Sequence, residues 1–330
     1  MTGSDIHSLK PAAEPDPSPQ ADPITLPPPL VVILGPTAIG KTALAIPVAQ
    51  VFEAEIISAD SRQIYTGMDI GTAKPTPAER AIVPHHLLDV ITPDETFTLA
   101  QYQRAAYDAI ELLHARGRLP LMVGGTGQYL TAVLEGWGIP EVPPNPDLRA
   151  ELEAFALEHG ARALHDRLRE YDPAAAERID HRNVRRVVRA LEVCLETGTP
   201  ISVLQRKQQP PYRVLQFGLT MPREDLYARA DARIDRMVQA GLLDEVRGLL
   251  AAGYSWDSPA MSGLGYAQWK PYMEGTATLE EVIAAIRHDT RAYIRRQYTW
   301  FKGHDTGIYW LDVREIMPDS IIAWIQNWLG

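Results

Sequence analysis

The sequence predicts an α/β protein in which a parallel sheet core, flanked by helices, is interrupted by an all-helical insertion domain. Three observations carry this prediction. Up to about residue 130, short β-rich apolar runs alternate with stretches of helical apolar spacing, the signature of strands joined by crossover helices. From Pro146 to about Glu196 every apolar run has helical period and none reads as a strand. Strand character then returns at Val214–Met221, so the helical stretch is inserted into the sheet rather than appended to it.

Each element follows in order. LVVILG, Leu30 to Gly35, is a β-branched apolar run closed by glycine and reads as a strand buried on both faces. KTALAIPVAQVF has helical spacing, with Pro47 expected to kink or shorten the helix. EIISA (Glu55 to Ala59) and LPLMVGG (Leu119 to Gly125) are two more core strands. The helix predicted between them, FTLAQYQRAAYDAIELLHARG, ends at Gly117 as its C′ residue. GWGIPEVPPNPDLR is a Pro- and Gly-rich linker into the insertion. Long amphipathic helices are expected at about 222–252 and 278–302, then a last strand in GIYWLDV and a closing helix in IIAWIQNWL. The expected organisation is a Pro-rich disordered tail (1–29), the first part of the core (30–137), the helical insertion (138–204), and the second part of the core with C-terminal helices (205–330). The tail assignment rests on eight prolines and little that can be buried.

Composition narrows the function classes. With 45% hydrophobic and 22% charged residues, the 330-residue chain is that of a globular protein with a substantial core. No apolar run approaches the ~18 residues of a membrane span, and the first twenty residues carry no apolar signal core. Cys194 is the only cysteine, which excludes an intrachain disulfide and a Cys-rich zinc site and fits a cytoplasmic location. No coiled-coil heptads occur, so a monomer is expected. The net charge of −10 argues against nonspecific nucleic-acid binding, yet cations cluster. Arg178, Arg182, Arg185, Arg186 and Arg189 are opposed locally only by Asp180, and Arg287, Arg291, Arg295, Arg296 and Lys302 only by Asp289. These are either two polyanion-binding stripes or two solvated helix faces.

The strongest motif is GPTAIGKT: Gly35, Pro36, Thr37, Ala38, Ile39, Gly40, Lys41 and Thr42. It fits G-x-x-x-x-G-K-[ST] and lies between a strand and a helix, the context a P-loop requires. Its glycines let backbone amides turn inward on a phosphate, the helix N-terminus adds partial positive charge, Lys41 adds a full charge, and the Thr42 hydroxyl is placed to hold Mg²⁺. The motif specifies phosphate without naming the compound. An ATPase would add a second strand ending in a magnesium-binding Asp. LPLMVGG ends in glycines, whereas EIISAD ends in Asp60, which keeps a nucleotide-hydrolysing reading open.

Further along, SADSRQIYTGMDIGTAKPT, PHHLLDV, VGGTGQYL, RRVVRALEV and TRAYIRRQYTWF resemble, in the same order, segments of the tRNA dimethylallyltransferases, also called tRNA isopentenyltransferases. The resemblance runs from about residue 30 to 311. It implies a P-loop parallel sheet core with a helical insertion. It also implies transfer of a dimethylallyl group from dimethylallyl diphosphate to N6 of adenosine 37, in tRNAs reading codons that begin with U, with Mg²⁺ assisting and no ATP consumed. The tRNA anticodon stem-loop would be the macromolecular partner. Asp60 matches the carboxylate that accepts the amine proton; its residue-level alternative is a strand-end cap. Thr126 matches the threonine at the bridging diphosphate oxygen; its alternative is a turn residue in a Gly-rich loop. Lys41 joins these two in the catalytic set, and Arg233 matches the arginine that grips the diphosphate, with Arg229 one turn earlier. Asp60, Ser61, Arg62 and Gln63 match the segment at the target nucleotide. Arg185, Arg186, Val187, Val188 and Arg189 match the insertion segment that contacts tRNA, Arg185 and Arg189 sharing a face.

The sequence departs from the family pattern in places. Arg62 stands where a smaller residue is usual, Thr66 replaces a basic one, and the segment from Ser262 to Ala267 lacks the basic side chain expected for a tRNA contact. Eukaryotic relatives add a C-terminal zinc finger that this sequence lacks, so a bacterial-type enzyme is expected. His85 and His86 are adjacent and in a strand would face opposite sides, a poor arrangement for one metal. Three other functions compete: a small-molecule P-loop kinase, an adenylate isopentenyltransferase acting on free nucleotide, and a non-catalytic RNA-binding module. The last leaves the P-loop, Asp60 and Thr126 without a purpose, and a mononucleotide substrate needs no arginine-bearing insertion.

Overall fold

A computed structural model describes residues 26–304 and 307–330. Most of the expected tail therefore lies outside the described residues, and its last residue, Pro29, opens the first strand.

Six parallel strands form one sheet in the order β3-β2-β4-β1-β5-β6: β1 Pro29–Leu34, β2 Glu55–Ala59, β3 His85–His86, β4 Pro120–Gly124, β5 Arg213–Thr220 and β6 Ile308–Asp312. Near the middle, β1 pairs with β4 on one side and β5 on the other, and Leu30 to Ile33 are wholly buried. Its alternate side chains feed two cores. Val31 and Ile33 pack with helix α1 (Lys41–Val51), while Leu30, Val32 and Leu34 pack beneath the helix at Leu99–Ala115. Burying side chains of this size stabilises the fold by roughly 1.5–3 kcal/mol each, which is why the run is apolar on both faces.

The flanking helices begin where side chains can satisfy their free amides. Helix α2 (Pro77–Ile82) and α3 (Leu99–Ala115) each open with a capping box, Thr76 with Glu79 and Thr98 with Gln101. Helix α3 ends at Ala115, just before Gly117, as expected. Helix α1 runs its full eleven residues through Pro47, so the proline does not shorten it. The short helix α4 (Gly127–Leu134) follows β4.

The insertion holds helices only: α5 (Pro146–His159), α6 (Ala161–Tyr171), α7 (Pro173–Arg178), α8 (Val184–Thr197) and α9 (Ile201–Leu204). They enclose a separate core built around Leu152, Leu164, Leu168, Val187 and Leu191. Its two connections to the sheet run side by side, with Gly138 N donating to Arg206 O at 3.0 Å and Gln208 N to Gly136 O at 2.8 Å.

After β5 the predicted helical stretch is two helices, α10 (Arg223–Gln239) and α11 (Leu242–Ala251). The short α12 (Lys270–Met273) leads to the 25-residue α13 (Leu279–Gly303), and α14 (Pro318–Leu329) closes the chain. Among the described residues no helix is long and apolar enough to cross a membrane.

Candidate active site

The site forms at the C-terminal ends of β1, β2 and β4, where a parallel sheet presents its loops. The loop after β1 wraps tightly: Ala38 and Gly40 take φ of 63° and 104°. At Gly40 a Cβ would also sit 3.0 Å from the Arg229 guanidinium. Lys41 turns back over this loop and donates to Gly35 O at 3.1 Å and Pro36 O at 2.9 Å. Burial pulls its pKa down to about 8; Asp60 opposes the shift and the Arg233 charge reinforces it. The Thr42 hydroxyl, in the first turn of α1, makes no hydrogen bond among the described residues. A free hydroxyl there is of the kind that can ligate Mg²⁺ beside phosphate oxygens; among the described residues no group of three His, Cys, Asp or Glu is placed to hold a metal.

After β2, the Asp60 carboxylate accepts the Arg62 amide at 2.9 Å, a local Asx turn that fixes it at the strand end. Its charge is felt at Lys41, Arg233 and the phenols of Tyr102, Tyr129 and Tyr293, which places these groups around the end of β2. Arg233 projects from α10 into this field, burial lowering its pKa while Asp60 favours its charge. Its guanidinium has no hydrogen-bond partner among the described residues and is available to an anion.

After β4 comes Thr126. It stands at the N-cap of α4, yet its side chain caps nothing. Its oxygen instead accepts the Ser61 amide at 3.0 Å, joining the β4 loop to the β2 loop. Gly124 and Gly125 leave no room for an aspartate. A Cβ at Gly124 would lie 2.1 Å from Ala59 O, and one at Gly125 would lie 2.5 Å from Gln297 and 3.3 Å from the Lys41 ammonium.

Several participants were not singled out in the sequence. Gln297 of α13 accepts the Thr37 amide at 3.0 Å and donates to Gly125 O at 2.8 Å, clamping the P-loop to the β4 loop. Tyr293, one turn earlier, has its phenol pKa pushed up to about 12 by burial and the Asp60 charge. Glu245 takes the amides of Asp69, Ile70 and Gly71 at 2.8, 2.7 and 3.1 Å, and so holds the loop that follows Asp60. Helical spacing within TRAYIRRQYTWF was the only sign that Tyr293 and Gln297 share a face.

The predicted nucleic-acid residues divide. Arg185 and Arg186 are exposed, and neither side chain has a partner among the described residues. Val187 and Val188 point into the insertion core, 0% and 3% exposed, so their side chains are not offered to a tRNA. Arg189 does not join Arg185 on a free face. It donates to the buried Glu192 carboxylate at 2.6 Å and reaches the Val142 carbonyl at 3.2 Å. Glu192 needs this cation, and Arg149 beside it, because an unpaired buried carboxylate is costly. Gln63 is likewise committed, accepting from Ser58 at 3.1 Å and donating to the carbonyls of Thr72 and Ala73 at 3.3 Å. Arg62 reaches the Pro259 carbonyl at 3.2 Å, which explains a long side chain at that position. On α13, Arg287 and Arg291 are paired with Asp235 and Asp231, both at 2.5 Å. This second stripe is therefore partly neutralised by α10. His85 and His86 make up β3; His86 pairs with Glu55 at 2.6 Å and His85 lies 2.7 Å from Val83 O.

Known proteins match this arrangement. The IPP transferase family model matches residues 63–304, and the isopentenyl transferase model matches residues 28–92. A tRNA dimethylallyltransferase of Roseiflexus castenholzii is 60% identical over 274 residues, covering 83% of this chain and 90% of that protein. Among solved structures, the tRNA isopentenylpyrophosphate transferase of Bacillus halodurans is 42% identical with a TM-score of 0.67, covering 91% of this chain and 95% of the other. A eukaryotic dimethylallyltransferase acting on tRNA is 28% identical with a TM-score of 0.73, over 86% of this chain and 74% of the other.

Proposed function

The chain belongs to the IPP transferase family of tRNA dimethylallyltransferases, and on that premise we propose that it moves the dimethylallyl group of dimethylallyl diphosphate to N6 of adenosine 37 in tRNA. The observation that carries this reading is convergence. Lys41 and Arg233, two cations without a committed carboxylate, both lie in the field of the Asp60 carboxylate, and the Thr126 oxygen holds the amide of the neighbouring Ser61 at 3.0 Å.

The chemistry follows from these groups. The P-loop amides, Lys41 and Arg233 hold the diphosphate. Mg²⁺ at Thr42 would neutralise part of its charge. An exocyclic adenine amine is a weak nucleophile because its lone pair is delocalised into the ring, and Asp60 offsets this by accepting the N6 proton as the C–N bond forms. The allylic C–O bond breaks, its electrons pass to the bridging oxygen, and a Thr126 hydrogen bond stabilises charge that appears only at that stage. A base flipped from a single-stranded anticodon loop reaches Asp60 at small unstacking cost. Arg185 and Arg186 on the insertion are free to contact the tRNA backbone. The enclosed glycines at the end of β4 disfavour the kinase alternative, because the second metal-binding Asp of an ATPase has no space there.

The test is nucleoside mass analysis of an unmodified tRNA pool incubated with the protein, Mg²⁺ and dimethylallyl diphosphate, with AMP as a parallel acceptor. Dimethylallyladenosine in the tRNA digest alone is expected. Modification of AMP with an unchanged tRNA would move the assignment to an adenylate isopentenyltransferase.

A further inference from the structure

The amides of Asp69, Ile70 and Gly71 converge on one carboxylate from a distant part of the chain, that of Glu245 on α11, at 2.8, 2.7 and 3.1 Å. Loop amides are ordinarily satisfied by water or by their own turn. A carboxylate that gathers three of them forms charge-assisted bonds and holds the turn in one shape. The same carboxylate takes a further donor: the hydroxyl of Tyr266, a residue 1% exposed, reaches the oxygen that Gly71 N also meets, at 2.6 Å. The Tyr266 ring lies on Gly71 so closely that a Cβ there would sit 2.5 Å from it. Glu245 thus grips two segments at once, the loop after β2 and the stretch that ends at Tyr266.

Both segments hold the turn that carries Asp60. From the loop side, the Gln63 side-chain amide donates to the carbonyls of Thr72 and Ala73 at 3.3 Å, and its oxygen accepts the Ser58 hydroxyl of β2 at 3.1 Å. From the other side, Arg62 donates to Pro259 O at 3.2 Å and packs 3.5 Å from where a Cβ of Gly263 would be. Asp60 lies between these anchors and accepts the Arg62 amide at 2.9 Å. We propose that Glu245 is a positioning residue for the acceptor: by locking the loop at 69–71 against Tyr266 it fixes, through Gln63 and Arg62, the turn that presents the Asp60 carboxylate to the target amine.

This rests on the proposed transferase reading and deepens its acceptor side. Glu245 touches no reacting atom. Its partners also stand apart from the donor pocket, where the P-loop is braced by Lys41 and Gln297 instead. Loss of the clamp therefore separates two functions that general unfolding would take together. Phosphate contacts made elsewhere carry a large share of the affinity for a polyanion. A displaced turn accordingly costs rate more than binding, since a proton acceptor misplaced by about 1 Å can slow a reaction ~10²-fold.

The experiment compares single-turnover transfer with substrate binding in Glu245→Gln, Gly71→Ala and Tyr266→Phe. Glu245→Gln keeps the size but turns one acceptor oxygen into an amide that faces other donors. Transfer at saturating tRNA is expected to slow about tenfold, with the calorimetric Kd and stoichiometry for dimethylallyl diphosphate and Mg²⁺ unchanged and the tRNA Kd within about twofold. Gly71→Ala leaves the carboxylate intact but forces the loop off the Tyr266 ring, and it is expected to give the same split. Tyr266→Phe removes a single bond and is expected to slow transfer about threefold. Unslowed transfer in Glu245→Gln overturns the proposal. So does a parallel loss of donor stoichiometry, which would make the carboxylate a prop of the whole fold, and so does a weakened tRNA Kd at unaltered rate, which would make the loop a binding surface alone. Wild-type protein that transfers nothing to tRNA would overturn the transferase reading itself, a result distinct from any of these.

Discussion

An ammonium enclosed at the end of a P-loop loses much of its hydration, and Lys41 accordingly titrates near 8 instead of 10.5. The sign has two consequences. Between about 8 and 10.5 the unfolded chain binds more protons than the native one, so the burial penalty is complete below 8 and stability rises with pH through that window. Function moves the other way, because capture of a diphosphate needs the charged lysine. The donor kcat/KM should fall above pH 8, approaching about tenfold per unit. A profile flat across the whole window would remove Lys41 from donor capture. At Asp60, exchange for Asn keeps the size and the Asx turn but removes the proton acceptor. Transfer should drop ~10²–10⁴-fold while calorimetric donor binding persists. Near-normal turnover would leave the Asx turn as the only role of Asp60. Lys41 was legible because its chemistry lies in the side chain and its spacing in the P-loop motif, and Asp60 because the segment around it resembles the tRNA dimethylallyltransferases. Tyr293 and Gln297 were not, because a tyrosine and a glutamine in an amphipathic helix acquire meaning only from what the helix packs against.

Elements set the precision of the site. Helix α13 ties the P-loop to the β4 loop through one side chain, and Gln297→Leu leaves Thr37 N and Gly125 O without that partner. Donor KM should rise roughly tenfold, matching one to two lost hydrogen bonds, with the tRNA KM little changed. An unaltered donor KM would show that the loops hold their register without the clamp. In the insertion, Glu192 is wholly buried and binds Arg149, Arg189 and the Asn145 amide. Glu192→Ala should destabilise this domain by about 3 kcal/mol, the lower end for a broken buried pair because both arginines are about a third exposed. Urea unfolding would read the loss, and an unshifted midpoint would contradict the network's structural role. Spacing alone placed Arg189 beside Arg185, and only the fold reveals the buried carboxylate that claims it. Strands and long helices were readable because their apolar periods are strong. The two-residue β3 is too short to carry a period and forms only because β2 offers it a parallel edge.

At the scale of the molecule, the strand order brings the ends of β1, β2 and β4 together although their loops are far apart in sequence. Alternation of strand and helix announced a parallel sheet, but not which strands would be neighbours, since that depends on crossover packing. On the proposed reading, the acidic chain would meet a polyanion through a small exposed surface on α8, where Arg185 and Arg186 are exposed. Arg185→Ala and Arg186→Ala should each weaken tRNA binding and reduce the slope of log K against log salt by about one, whereas Arg189→Ala should lower stability and leave the slope nearly unchanged. Equal slopes for all three variants would assign the contact elsewhere. The account as a whole requires that the P-loop serve a prenyl diphosphate. Calorimetric titration of the protein with dimethylallyl diphosphate and with ATP, each with Mg²⁺, tests this most directly. Saturable binding of the prenyl donor, lost on Lys41→Ala, is the predicted result; tight ATP binding with no heat from the prenyl donor would contradict it.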